Sequence, residues 1–141
     1  VERPLESGPY NSYEDFKAAC LQSPERINLH RDVLSDAQKY FKIKDKNDLL
    51  SLIGNGEFEH IKFQKPTKHK YIENVFIDAY LFKLDRKIGY LAFFEHNGGW
   101  LLKSFHPGKT KPGYFDPPGK MLEVSKVIQL PKVIKTGGQN E

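Results

Sequence analysis

Between Tyr71 and His106 the chain carries three apolar-rich runs separated by turn-forming residues. Tyr71 to Leu84 is rich in aromatic and β-branched residues and is broken by Asp85-Arg86-Lys87. Ile88 to Glu95 follows, then His96-Asn97-Gly98-Gly99, then Trp100 to His106. Asn-Gly between apolar runs signals a hairpin, because a two-residue turn of the right twist needs positive φ at both central positions. The pattern predicts three long antiparallel strands joined by two tight turns. Upstream the period becomes helical. Ser12-Tyr13-Glu14-Asp15 is a capping box that opens a helix to about Gln22, closed before Pro24. Val33, Leu34, Ala37, Tyr40 and Phe41 make one apolar face of a second helix from about Arg31 to Tyr40. Asp45 or Asn47 caps a third, which carries Leu49, Leu50, Leu52 and Ile53 and ends at Gly54 and Gly56. Phe58 to Phe63 fits a short strand. The expected class is α+β, with N-terminal helices packed on one face of an antiparallel β-meander.

After His106 the pattern changes. Pro107 to Gly119 contains four prolines and three glycines before Lys120, which excludes a helix or a central strand and predicts a long loop. Met121 to Leu130 suits an edge strand or a short helix, and Pro131 to Glu141 reads as a mobile tail. The expected organisation is a linker over 1–11, one domain over 12–130 and a tail over 131–141. With 141 residues, 38% hydrophobic and 13% aromatic, the chain has enough apolar material for one modest core. No apolar run approaches the roughly 18 residues of a membrane span, and no membrane partner is expected. Val1-Glu2-Arg3-Pro4 shows neither a secretory pattern nor a starting Met, and is read as the edge of a larger or processed protein. The net charge of +4 is a mild bias toward anionic partners. A single cysteine excludes an internal disulfide, and the helical spacing of Phe16, Ala19 and Cys20 places it in the core.

Counting from the turns sorts the meander into two faces. Taking the first turn as three residues sets Phe82 opposite Tyr90, and the second sets Leu91 opposite Ser104. One face then collects Val75, Ile77, Ala79, Leu81, Leu91, Phe93, Trp100 and Leu102, nearly all apolar, with Ser104, His106 and Lys83 at its rim. It is expected to pack on the helices. The other collects Phe76, Asp78, Tyr80, Phe82, Tyr90, Phe94, Leu101, Lys103 and Phe105. An aromatic face with an embedded lysine suits single-stranded nucleic acid, where bases stack and the cation meets phosphate. The alternative is that the proline-rich segment covers this face as a second core layer.

The chemistry expected follows from the residue types. The histidines at 30, 60, 69, 96 and 106 show no i,i+3 or i,i+4 ligand pair, so no metal site or cofactor is expected. Gly54-Asn55-Gly56 and Gly98-Gly99 are turn glycines, not a nucleotide-phosphate loop. Ser104 lies mid-strand, which argues against a serine nucleophile. Metal-free phosphoryl transfer on RNA needs a base for the 2′-hydroxyl, a cation for the phosphorane and an acid for the leaving oxygen. Lys103, Ser104 and His106 on one strand supply such a set, with His69 in the basic stretch Lys62–Lys70 as a second choice for the imidazole. Lys68, Lys70, Tyr80, Tyr90, Lys109 and Lys111 are the candidate RNA-binding residues, with Lys103 placed beside Tyr80 and Tyr90. His30 falls at the start of the second helix, where a capping role competes with catalysis. In straight strands of roughly 3.3 Å per residue, His69 and His106 fall about 40 Å apart unless the basic stretch folds back.

The helical lead-in Val33–Phe41 and Asp48–Ile53, the basic stretch and the last strand Trp100-Leu101-Leu102-Lys103-Ser104-Phe105 together resemble a known group. It is the superfamily that joins barnase, EndoU, the tRNase colicins and the RelE toxins. The resemblance runs from about Arg26 to His106, is architectural, and leaves the segment after His106 unexplained. It implies a metal-independent endoribonuclease toxin domain that cleaves tRNA or mRNA by 2′-hydroxyl transesterification. It also implies an antitoxin or immunity protein as partner, and delivery by a larger secreted or phage-borne precursor to act in the cytoplasm. The competing reading is a non-catalytic module that binds RNA or protein on the aromatic and basic sheet face.

Overall fold

The computed structural model describes residues 8–110 and 113–115. The chain divides into two compact units, Val1–Lys109 and Thr110–Glu141. The first holds α1 (Tyr13–Gln22), a 3-10 turn (Pro24–Arg26), β1 (Ile27–Leu29), α2 (Val33–Phe41), α3 (Lys46–Gly54), β2 (His60–Lys68), β3 (Phe76–Leu84), β4 (Lys87–His96) and β5 (Gly99–Pro107). The five strands form one sheet in the order β1-β5-β4-β3-β2. All neighbours are antiparallel except β1, which runs parallel to β5. This is the expected α+β class. In the second unit the described residues include a turn at 113–115, where the rings of Tyr114 and Phe115 meet edge to face at 5.1 Å. Lys111 and the expectations for 116–141 lie outside the described residues.

Helices α1 and α3 start where the capping chemistry says they should, whereas α2 starts at Val33 with no side-chain cap. Ser12 accepts the Asp15 backbone N–H at 3.0 Å and Asp45 accepts that of Asp48 at 2.9 Å, so each satisfies an N–H that the first helical turn leaves unpaired. The core lies between the three helices and one sheet face. Phe16 of α1 stacks on Phe93 at 4.2 Å and meets Trp100 at 5.4 Å. Phe41 of α2 packs on Phe82 and Phe105 at 5.4 and 5.3 Å.

Three features of the sheet depart from the sequence expectation. First, β2 extends from His60 to Lys68 and β3 begins only at Phe76. Most of the basic stretch is therefore strand, and residues 69–75 form the connection. Pro66 is tolerated because β2 is a sheet edge and the pairing is irregular between Phe63 and Pro66. Second, the β3–β4 turn has two residues, not three. Asp85 and Arg86 both take positive φ (51° and 70°) and Leu84 pairs with Lys87. Phe82 consequently faces Gly89, and Tyr90 faces Leu81. A one-residue slip turns every side chain of a strand over, so Tyr80 and Phe82 point at the helices while Ala79 and Leu81 line the opposite face. Third, Ala92 pairs with Ser104 but Phe93 pairs with Leu102, leaving Lys103 as the extra residue of a β-bulge. Leu102 and Phe105 therefore both reach the core, Leu91 faces Phe105, and Ser104 and His106 join the open face.

Gly89 shows how tightly this register is packed. A Cβ there would run into the ring of Phe82, which Phe41, Phe58 and Phe105 hold from other sides. Gly89→Ala is expected to cost about 2–3 kcal/mol, as overpacking does, seen as a lower urea midpoint at unchanged m value. A change under about 0.5 kcal/mol would mean that the ring moves aside freely.

Burial also gives the core a pH signature. It pushes the Cys20 thiol from 9.0 up to about 12. Desolvation, with the nearby Asp78 charge, pushes the Tyr80 phenol from 10.0 up to about 12, and desolvation raises Tyr13 as well. These groups stay uncharged in the native state and ionise more readily once unfolded. Their contribution to stability is complete below about pH 9 and is lost as pH rises toward 12. Urea midpoints measured from pH 7 to 11 should be flat at first and fall above pH 9. A midpoint unchanged at pH 11 would contradict the burial of these groups.

Candidate functional site

β1 pairs with only Trp100, Leu101 and Leu102 of β5, and the His30 backbone N–H donates to the Leu102 carbonyl at 3.0 Å before the chain turns into α2. That departure opens a cavity of about 180 Å³ between the start of α2 and the outer half of β5. His30, Asp32, Val33 and Asp36 line one side, and Lys103, Ser104, Phe105 and His106 the other. Two imidazoles, an ammonium and a hydroxyl thus share one concave site. The bulge aims Lys103 there by removing it from the regular alternation.

The His106 ring is oriented on both sides. It stacks on Tyr90, with centroids 5.1 Å apart and 14° between planes, and its Nδ1 lies 2.8 Å from the Pro107 carbonyl oxygen. A carbonyl only accepts, so Nδ1 carries the proton of the neutral ring and Nε2 presents its lone pair. His30 is exposed, and Lys103, Ser104 and His106 are half-buried. The carboxylates of Asp32 and Asp36 give the α2 side of the cavity a negative border, which a phosphodiester would avoid. The β5 side carries the lysine.

A second concavity adjoins the first. On the sheet face away from the helices, Gln64, Lys65, Thr67, Ala79, Leu81, Tyr90, His106, Gly108 and Lys109 line a groove of about 350 Å³. His106 borders both spaces. The irregularities of β2 and β5 fall at one level of the sheet, joined by Ala79 and Ala92. Gly108 donates its N–H to the Ile88 carbonyl at 3.0 Å, drawing the chain back over β4 and placing Lys109 at the groove. A Cβ at Gly108 would meet Leu81 at 2.9 Å.

The other residues singled out from sequence are dispersed. Tyr80 is 6% exposed and packs on Tyr13 and Phe93, so its ring does not belong to the open face and Lys103 is not its neighbour. His69 lies near Phe94, at 5.2 Å between rings, about 13 Å further along β4 than the Tyr90 level, much nearer His106 than straight strands would put it. Its Nδ1 accepts the backbone N–H groups of Tyr71 and Ile72, both at 3.0 Å, so the ring organises the β2–β3 connection. Lys68 and Lys70 are exposed at that same end. Asp32 and Asp36, and Lys65 and Thr67 within the basic stretch, are not among the individual residues that the sequence singles out. No pattern within their own segments marks them, since pairing between distant strands brings them to the two concavities.

Among the described residues, no three His, Cys, Asp or Glu side chains come together as a metal ligand set, and no helix is long and apolar enough to cross a membrane. No family model matches the chain, and comparisons with curated proteins and with solved structures give no match.

Proposed function

We propose that this domain is an endoribonuclease that cuts RNA by 2′-hydroxyl transesterification, with His30 and His106 as its acid–base pair. The observation that carries the reading is the convergence of His30, Lys103, Ser104 and His106 on one cavity. The Nε2 lone pair of His106 takes the 2′-hydroxyl proton as the 2′-oxygen bonds to phosphorus. His30 protonates the 5′-oxygen as the P–O5′ bond breaks, leaving a 2′,3′-cyclic phosphate and a 5′-hydroxyl. Lys103 stabilises the charge that accumulates on the non-bridging oxygens, and the Ser104 hydroxyl donates to one of them. Helices followed by an antiparallel sheet, with chemistry on the last strand, is also the arrangement of the ribonuclease superfamily that the sequence resembles. A toxin role, a tRNA or mRNA substrate and an antitoxin or immunity partner extend from that resemblance.

The purified chain, incubated with RNA in excess chelator, should yield discrete fragments. Retardation of RNA on a gel without fragments would replace this reading with the binding-module one.

A further inference from the structure

We infer that the groove on the open sheet face receives one unpaired nucleobase beside the scissile phosphate, which makes single-stranded RNA the substrate. The inference rests on the ribonuclease reading of the adjoining cavity, with which the groove shares His106. Three observations carry it. The floor is apolar and buried, formed by Ala79 and Leu81, with the Tyr90 ring beside it. A flat heteroaromatic gains from leaving water there, and every base has such a face. The volume, about 350 Å³, lies at the low end of the roughly 300–1,000 Å³ of small-molecule pockets, enough for one nucleoside and too little for a paired helix. The rim is cationic, with Lys65 on the β2 side and Lys109 on the β5 side, so the phosphates flanking a seated base meet charge of the right sign. A nucleotide held in the groove would present its phosphate past His106 to Lys103 and Ser104. Seating it requires the base to leave its stack, which a duplex resists.

The test measures binding without cleavage. Three probes are compared on the full chain: a 2′-O-methyl octanucleotide, which lacks the attacking hydroxyl, the same strand annealed to its complement, and the same backbone with abasic positions. The single strand should bind at least tenfold more tightly than either of the others. Thr67→Trp, at an exposed strand position, should fill the groove and weaken the base-bearing single strand about tenfold while leaving the abasic probe unchanged. Lys65→Ala with Lys109→Ala should weaken all three. Circular dichroism of each variant confirms the fold. Equal affinity for the three probes would overturn the proposal even if the protein cuts RNA. Selective binding of the single strand by a protein that never cuts RNA would overturn the catalytic reading and leave the groove assignment standing.

Discussion

His106→Ala should lower RNA cleavage about 10²-fold or more, and His30→Ala and Lys103→Ala should each do the same, which is the usual worth of one acid–base or charge-stabilising group. Binding of RNA should fall much less, because the groove and the remaining lysines still hold the strand. The histidines are distinguished from bystanders by pH dependence. An acid–base pair gives a bell-shaped rate profile, and removing either imidazole should abolish one limb. His69→Ala should leave the profile intact, because that ring is engaged by the backbone of Tyr71 and Ile72. Substitutions at 30 and 106 that leave cleavage unchanged in a folded protein would move the chemistry elsewhere.

The largest effect on stability should come from Asp78→Ala. Asp78 is fully buried in β3 and is the anchor of the N-terminal segment. Its carboxylate accepts the backbone N–H groups of Tyr10 (3.0 Å) and Asn11 (2.5 Å) and the Asn11 side-chain amide (3.0 Å). Asn11 in turn donates to the Phe76 carbonyl and accepts from the Glu95 N–H, and Tyr10 stacks on Phe76 at 3.9 Å. Charged hydrogen bonds of this kind contribute roughly 1.5–3 kcal/mol each, and unpaired buried donors add a penalty. Part of that is recovered when residues 8–11 lift into water. A net loss of about 3 kcal/mol is expected in urea unfolding, with faster proteolysis near Tyr10. A variant as stable as the wild type would show that the segment contributes nothing to the fold.

Residues 10 and 11 also show the limits of reading this chain from sequence. Pro4, Gly8 and Pro9 give residues 1–11 the look of a linker, and nothing local announces that a carboxylate 67 residues away from Asn11 captures residues 10 and 11. Elements built on local chemistry were legible: Ser12 and Asp45 cap the first and third helices, and Asn97-Gly98 makes its two-residue turn with φ of 52° and 78°. Asp85-Arg86 makes the same kind of turn without a glycine, so the sequence pattern suggests a turn one residue longer and with it the opposite face for β3. The bulge at Lys103 has no glycine to mark it either. Lys103, Ser104 and His106 nonetheless stand out as a group in the sequence because one short run of a single strand carries all three. Their partnership with His30 depends on β1, a three-residue strand too short for any periodicity to reveal.

The most direct measurement of the central claim is the structure of the product ends. A chelator-treated protein would be given an oligonucleotide with a single ribose among deoxyriboses, and the products weighed by mass spectrometry. The account predicts one cut, on the 3′ side of the ribose, leaving a 2′,3′-cyclic phosphate and a 5′-hydroxyl, with the yield reduced about 10²-fold or more in His30→Ala and His106→Ala. Cutting at deoxyribose positions, or products bearing 5′-phosphates, would contradict it, because neither can arise from attack by a 2′-oxygen.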